Sequence, residues 1–315
     1  MAVFTTFDPV FLERYLYMFG LGELASFSPI ETGIENSNYL LRLDQDGHQQ
    51  EYVLTILEYL SFDEVPFFNT LMTHLSQAGL PVPAPRATLD GMTSTIFRGK
   101  PTLLFPKLAG SHPTEVDSAR CQLIGKMIAS MHEAAATIGL PPEKVRANPY
   151  DAEWTRSTFE AKAAGLTDDD RALLAGYVER YDDLTRIEDL PRGIIHGDLF
   201  RDNTLFEADR LTGIIDFYHA CEDYLVQDLA ISLNDWCSTD TGDMDPELID
   251  AMIEGYEYVR SLTLQERELL PDFQRAAALR FVLTRLLSGE EGGHLKDPEE
   301  FLRIARSLHT DFRQL

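Results

Sequence analysis

The sequence contains little cysteine and no long apolar run. Its 315 residues include 3 cysteines that are widely spaced and form no C-x-x-C pair, which favours reduced thiols over a disulfide framework or a zinc site. No segment approaches the roughly 18 consecutive apolar residues that cross a bilayer, and the first residues lack the basic stretch of a signal peptide. These absences predict a cytoplasmic location.

Basic charge is also scarce. The chain carries 27 Lys+Arg against 52 Asp+Glu, a formal net charge of −25, and its first 99 residues contain no lysine. A surface this acidic repels phosphate backbones and anionic lipids, which argues against nucleic-acid and membrane partners. A small phosphorylated ligand would need a metal ion or fixed backbone dipoles to offset this field.

Several signatures of catalysis are missing. The chain has no G-x-x-x-x-G-K-[ST] loop, no G-x-S-x-G turn and no H-E-x-x-H pair. P-loop, serine-hydrolase and transition-metal chemistry therefore find no support in the sequence.

The chain changes character near residue 106. Residues 1–105 predict a β-rich domain with one packed helix at about 63–78 and with turns at 46–47 and 98–101. Residues 106–315 predict a mainly helical domain, with helices at 118–132, 167–185, 246–260, 273–288 and 298–313. The exception is a polar hairpin predicted at 194–220. The expected fold class is α+β.

This hairpin carries a constellation of ionisable residues. H-G-D-L-F-R-D-N at 196–203 is followed thirteen residues later by D-F-Y at 216–218. The spacing matches the H-x-D-L-x-x-x-N and D-F-x signatures of protein-kinase-like phosphotransferases. Phosphoryl transfer to a hydroxyl needs a carboxylate that accepts the proton and oxygen ligands for Mg²⁺. Asp198 is the candidate base, Asn203 and Asp216 are the candidate metal ligands, and His196 is predicted to brace the loop.

The chain as a whole resembles the aminoglycoside phosphotransferase/choline kinase superfamily, and in particular its bacterial homoserine kinases. The segments that carry the resemblance include ETGIENSNYLL, YVLTILE, HLSQAGLPVPAP, IIHGDLFRDNTLF and RAAALRFVLTRL. The resemblance implies a two-lobed protein-kinase-like fold, with an antiparallel sheet and one packed helix in the N-lobe and a mainly helical C-lobe. It also implies ATP- and Mg²⁺-dependent phosphorylation of the L-homoserine side-chain hydroxyl, in threonine biosynthesis.

The resemblance places the nucleotide site on the N-lobe. It assigns the turn at 33–38 to a loop that covers the nucleotide and 104–107 to the hinge. The nucleotide-binding residues it implies are Gly33, Asn36, Ser37, Asn38, Thr55 and Phe105. Kinases usually carry a phosphate-binding lysine on the third strand, where this chain has Thr55. Mg²⁺, loop N–H groups and an arginine would then meet the phosphate charge, so Mg·ATP is the predicted ligand rather than free ATP.

Two residues near the motif have more than one interpretation. Arg201 lies in the catalytic loop, where it can steady the transferring phosphoryl group, clamp a substrate carboxylate or brace the loop. Asp228 is either a brace for the catalytic loop, as the resemblance implies, or a helix N-cap.

An amino-acid substrate needs a cation for its carboxylate and an anion for its ammonium group. The predicted substrate contacts are Asp202, Tyr218, Asn234 and Trp236, with Arg280 and Arg285 on a late helix as further cations. The same fold could instead phosphorylate choline, an aminoglycoside or methylthioribose. A catalytically dead pseudokinase is a further alternative, supported only by the missing lysine. A homodimer remains open.

Overall fold

The computed structural model describes residues 4–30, 35–288 and 297–310. The chain divides into two compact units. Unit 1 spans Met1–Gly110 and Thr212–Ile215, and unit 2 spans Ser111–Leu211 and Asp216–Leu315. No helix in the described part of the chain is both long and apolar enough to cross a membrane.

Unit 1 is built on an antiparallel sheet. Its elements are the strands β1 (Glu23–Pro29), β2 (Ser37–Gln45), β3 (His48–Ile56), β4 (Thr95–Phe97) and β5 (Lys100–Pro106), with the helices α1 (Pro9–Leu16) and α2 (Val65–Gln77). The strands lie in the order β1-β2-β3-β5-β4. The predicted turn at Asp46 and Gly47 joins β2 to β3, with φ of 55° and 82°, as a two-residue hairpin turn requires.

The core of unit 1 lies on one face of this sheet. Alternate residues of β2, namely Tyr39, Leu41 and Leu43, are buried, because side chains along a strand point to opposite faces in turn. They belong to one apolar cluster with Ile56 of β3 and Leu12 of α1.

Unit 2 is mainly helical. Its helices are α3 (Ser118–Ala135), α4 (Ala152–Lys162), α5 (Asp168–Leu184), α6 (Leu225–Trp236), α7 (Pro246–Glu257), α8 (Leu264–Ser288) and α9 (Pro298–Thr310). Between α5 and α6 the sequence also forms two short antiparallel pairs, β6 (Arg192–Ile195) with β9 (Cys221–Tyr224) and β7 (Thr204–Glu207) with β8 (Arg210–Ile214). The predicted hairpin at 194–220 is therefore two nested pairs.

Several helix boundaries follow the local sequence. An aspartate before a proline predicts the starts of α1, α7 and α9, and in each case the aspartate accepts a backbone N–H from the first turn. Other boundaries differ from the prediction. Helix α8 begins at Leu264 and not at 273, because Pro271 lies within the helix and does not end it. The sequence patterns do not predict strand β1 or helix α4. Strand β1 is an edge strand with mostly exposed residues, so it lacks a clear apolar alternation.

Candidate active site

Asp198, the predicted base, lies on a loop in which Asn203 orients it. Asp198 follows β6, and Asn203 ends the short 3₁₀ turn Arg201–Asn203. The Asn203 side-chain amide donates to the Asp198 backbone carbonyl at 2.7 Å and to its carboxylate oxygen Oδ2 at 2.9 Å. One amide therefore fixes both the backbone and the carboxylate of Asp198.

Asp228 braces the start of this loop. Its two carboxylate oxygens accept the backbone N–H groups of His196 at 2.9 Å and Gly197 at 2.8 Å, and its side chain is fully buried. It lies within the first turn of α6, and the residue at the N-cap position is Tyr224. The helix N-cap interpretation of Asp228 is therefore wrong, and the structure shows the loop brace.

A buried polar chain continues from Asp228. The carboxylate accepts from His132 Nε2 at 3.1 Å, and the other ring nitrogen of His132 lies 3.0 Å from the hydroxyl of Tyr256. That hydroxyl also receives a hydrogen bond from Arg260. Burial alone would raise the pKa of Asp228, but the hydrogen bonds from His132 and from the His196 backbone outweigh it and hold the pKa below its usual range. Asp228 is thus a stable buried anion.

His196 and Gly197 connect the loop to the second motif. His196 Nδ1 accepts the Asp198 backbone N–H at 3.2 Å, and its ring packs 4.5 Å from that of Phe217. Gly197 has a φ of 77°, and a Cβ there would lie 2.8 Å from the backbone oxygen of His219. The motif therefore needs glycine at this position, because two backbones meet there.

The two predicted metal ligands have oxygen donors of the right kind. Because the Asn203 amide nitrogen faces Asp198, its amide oxygen is the atom left to bind a cation. Asp216 follows β8 with φ 66° and ψ 57°, a left-handed conformation that few residues other than glycine adopt. Such strain is often kept where it aims a functional side chain. A carboxylate and an amide oxygen fit the hard Mg²⁺ ion.

Arg201 is engaged within the loop. Its backbone N–H and its Nε both donate to Asp235 Oδ2, at 2.7 and 3.2 Å. Burial raises the pKa of Asp235, and the Arg201 charge opposes that shift. Of the interpretations offered for Arg201, the structure shows the loop brace, while a direct part in catalysis stays a prediction.

The predicted substrate contacts lie in different surroundings. Asp202 is exposed, and Tyr218, the last residue of the second motif, is buried. Asn234 is fully buried and donates to the Gln274 carbonyl at 2.7 Å, and the Trp236 side chain is 1% exposed. Of these four residues only Asp202 is exposed, and their contact with a substrate stays a prediction.

In unit 1, three of the predicted nucleotide contacts share one face of the sheet. Asn38 pairs with Thr55, Thr55 pairs with Leu103, and Phe105 lies two residues further along β5. The Thr55 hydroxyl donates to the Asn38 side-chain oxygen at 2.7 Å. This is the face opposite the apolar core. Gly33 lies outside the described residues.

The other predicted contacts, Asn36 and Ser37, join a polar cluster around Glu58. The Glu58 carboxylate accepts from the Ser37 hydroxyl and pairs with Lys100, and the Glu58 backbone N–H donates to Asn36 Oδ1 at 3.3 Å. Lys100 stands three residues before Leu103, so it lies on the face opposite Thr55. Lys100, the first lysine of the chain, therefore does not take the place of the phosphate-binding lysine that is missing at Thr55.

Fold and site together define a phosphotransferase of the protein-kinase type. A family profile described as "Phosphotransferase enzyme family" matches residues 26–269. The chain is 39% identical over 313 residues to a homoserine kinase of Neisseria meningitidis serogroup B, covering 98% of this chain and 100% of that one. It is 38% identical over 319 residues to a homoserine kinase of Pseudomonas aeruginosa, covering 99% and 98%. The chain belongs to the phosphotransferase enzyme family, with near full-length similarity to these homoserine kinases.

Solved structures of low sequence identity share the fold. An amicoumacin kinase in complex with AMP-PNP, Ca²⁺ and Ami has a TM-score of 0.77 at 16% identity, covering 97% of this chain and 94% of that one. A spectinomycin phosphotransferase in complex with ADP and spectinomycin has a TM-score of 0.68 at 14% identity, covering 99% and 100%. These likenesses confirm the predicted α+β, protein-kinase-like fold.

Proposed function

We propose that the chain is an ATP-dependent kinase that transfers a phosphoryl group to the side-chain hydroxyl of L-homoserine, giving O-phospho-L-homoserine. The hydrogen bonds between Asn203 and Asp198 carry the chemical part of this proposal, because they present an oriented carboxylate on a braced loop. Near full-length similarity to homoserine kinases supports the acceptor.

The residues have separate tasks in this reaction. The Asp198 carboxylate accepts the hydroxyl proton while the oxygen attacks the γ-phosphorus of ATP, and ADP leaves. Asn203 orients Asp198, and the buried Asp228 holds the backbone of the loop, so the base is positioned before the substrate arrives.

Asn203 and Asp216 are the proposed Mg²⁺ ligands. Held there, Mg²⁺ would offset the charge of the ATP phosphates, a need made greater by Thr55 in place of the lysine. Asn38, Thr55 and Phe105 are the proposed nucleotide contacts on unit 1. A homodimer and a cytoplasmic location stay predictions.

A panel assay tests the acceptor. Purified protein with Mg·ATP is given L-homoserine, choline, kanamycin or methylthioribose, and ADP release is followed. We expect release that depends on L-homoserine and stops when EDTA removes the metal. Turnover with another acceptor and none with L-homoserine would overturn the proposal, and the Asp198→Asn variant measures the background.

A further inference from the structure

Helix α8 carries three buried arginines, and one of them differs from the other two. Arg275 pairs with Asp272 at 2.8 Å, and Arg285 pairs with Glu300 at 2.7 Å. Arg280 is equally buried, at 9% exposure, yet no carboxylate of the described residues lies within 4.0 Å of its guanidinium. A buried charge without a partner of opposite sign is costly, so this exception needs an explanation.

The guanidinium of Arg280 lies beside the catalytic loop. Its Nη1 donates to the Gly197 carbonyl at 2.6 Å, one residue before Asp198. Its Nε is buried and has no hydrogen-bond partner among the described residues. Arginine has five N–H donors in a planar fork that matches a carboxylate, and the loop carbonyl accounts for only one of these donors.

The aromatic surroundings fix the plane of this guanidinium. Its central carbon lies 4.0 Å from the centre of the Tyr150 ring, and the Tyr150 hydroxyl is 3.0 Å from Nδ1 of His219, just after the second motif. The Arg280 charge acts on Asp223 only at longer range, and the Asp223 carboxylate accepts a hydrogen bond from the Asn148 side chain at 2.8 Å. Arg280 is thus held next to both motif segments by a ring and a carbonyl, with no carboxylate of the described residues in direct contact with it.

We infer that Arg280 binds the α-carboxylate of the acceptor. This inference rests on the proposed function, since L-homoserine supplies a carboxylate three carbons from the hydroxyl that Asp198 deprotonates. A charge-assisted pair with the substrate would supply the missing anion and would tie acceptor choice to the same loop that carries the base.

The test compares two acceptors that differ only in the carboxylate, L-homoserine and 3-aminopropan-1-ol. In Arg280→Gln we expect kcat/KM for L-homoserine to fall about 10- to 100-fold, the range for losing hydrogen bonds to a charged group, with the value for the aminoalcohol unchanged. Any distortion of the loop affects both acceptors, so the ratio of the two values isolates the carboxylate contact. Arg275→Gln, at a buried arginine of the same helix that pairs with Asp272, is the control and should leave the ratio unchanged.

Direct binding of L-homoserine gives a second readout. Calorimetry of Arg280→Lys, which keeps the charge and loses the fork, should show a several-fold weaker Kd with kcat at saturation largely kept. An unchanged ratio in Arg280→Gln, or a loss of kcat with an unchanged Kd, would overturn the inference and leave Arg280 as a positioning residue. If the wild type does not phosphorylate L-homoserine at all, the proposed function itself fails.

Discussion

Each unit holds a polar loop with one buried carboxylate, but the two carboxylates bind different groups. Glu58 in unit 1 binds side chains, those of Ser37, Thr5 and Lys100. Asp228 in unit 2 binds two backbone N–H groups of the catalytic loop and a buried histidine. Side chains can change rotamer, whereas backbone hydrogen bonds restrict the chain itself. The catalytic loop is therefore the more rigidly preset of the two.

The first way to sharpen this comparison is to remove the catalytic base and leave the fold of unit 2 intact. Asp198→Asn retains the shape of the side chain but cannot accept the hydroxyl proton, so kcat should fall by about 10³-fold. The Kd for Mg·ATP and the melting temperature should stay near wild type. Asp209→Asn, at the exposed tip between β7 and β8, is the control and should keep full activity. Wild-type kcat in Asp198→Asn would exclude Asp198 as the base.

The second way is to break the brace of unit 2. Asp228→Asn removes a buried anion that three donors share, so the free energy of unfolding should fall by about 3 kcal/mol. Because the folded pKa of Asp228 is lowered, its contribution is present above the unfolded pKa and is lost as the pH falls through the folded value. Chemical denaturation at pH 7 and at acid pH measures both effects.

Activity should fall together with stability in Asp228→Asn, since His196 and Gly197 lose their partner. Asp250→Asn, on the exposed side of α7, should change neither property. A folded Asp228→Asn variant with wild-type kcat would show that the brace does not position the base.

Asp223, another buried carboxylate of unit 2, provides a contrast with Asp228. Burial raises its pKa to about 6, with the Tyr224 backbone N–H and the charges of Arg192 and Arg280 opposing the shift. Its stabilising contribution is therefore complete below the unfolded pKa and is lost as the pH rises through about 6. Relative to Asp223→Asn, the wild type should lose about 2 kcal/mol of unfolding free energy between pH 4 and pH 7. A flat difference over this range would contradict the assignment.

The smallest effect is expected in unit 1. Glu58→Gln keeps an acceptor for Ser37 but loses the ion pair with the half-exposed Lys100, so the unfolding free energy should fall by about 1 kcal/mol. The KM for ATP should rise several-fold, because Glu58 holds Asn36 and Ser37, which belong to the predicted nucleotide loop. Glu51→Gln, in a more exposed pair on the same sheet, is the control. A loss as large as that of Asp228→Asn would remove the difference between the units.

Much of the fold could be predicted because local signals are strong. Capping aspartates before prolines, the Asp46-Gly47 turn and the alternation in β2 each have a direct physical consequence. The start of α8 could not be placed, since whether Pro271 breaks or enters a helix depends on packing. Strand β1 could not be placed either, because most residues of this edge strand are exposed and show no clear alternation of apolar and polar side chains.

The candidate site could be predicted where the reaction requires residues at a fixed spacing in the sequence. It could not be predicted where a residue's contacts depend on how the fold packs distant segments together. The motif at 196–203 and Asp216 could be read directly from the sequence. The roles of Asp235, His132 and Arg280 come from contacts across more than thirty residues of chain, which no local pattern encodes. For Arg280 a weak signal exists, a charged residue within the apolar run of RAAALRFVLTRL. The burial of Asn234 and Trp236 likewise has no local signal in the sequence, and their contact with a substrate stays a prediction.

The most direct test of the central claim is the identity of the product. Phosphorus NMR of a reaction with Mg·ATP and L-homoserine should show O-phospho-L-homoserine formed in equal amount with ADP, and Asp198→Asn should form both about 10³-fold more slowly. Release of ADP with inorganic phosphate, and no phosphate ester of homoserine, would contradict the account.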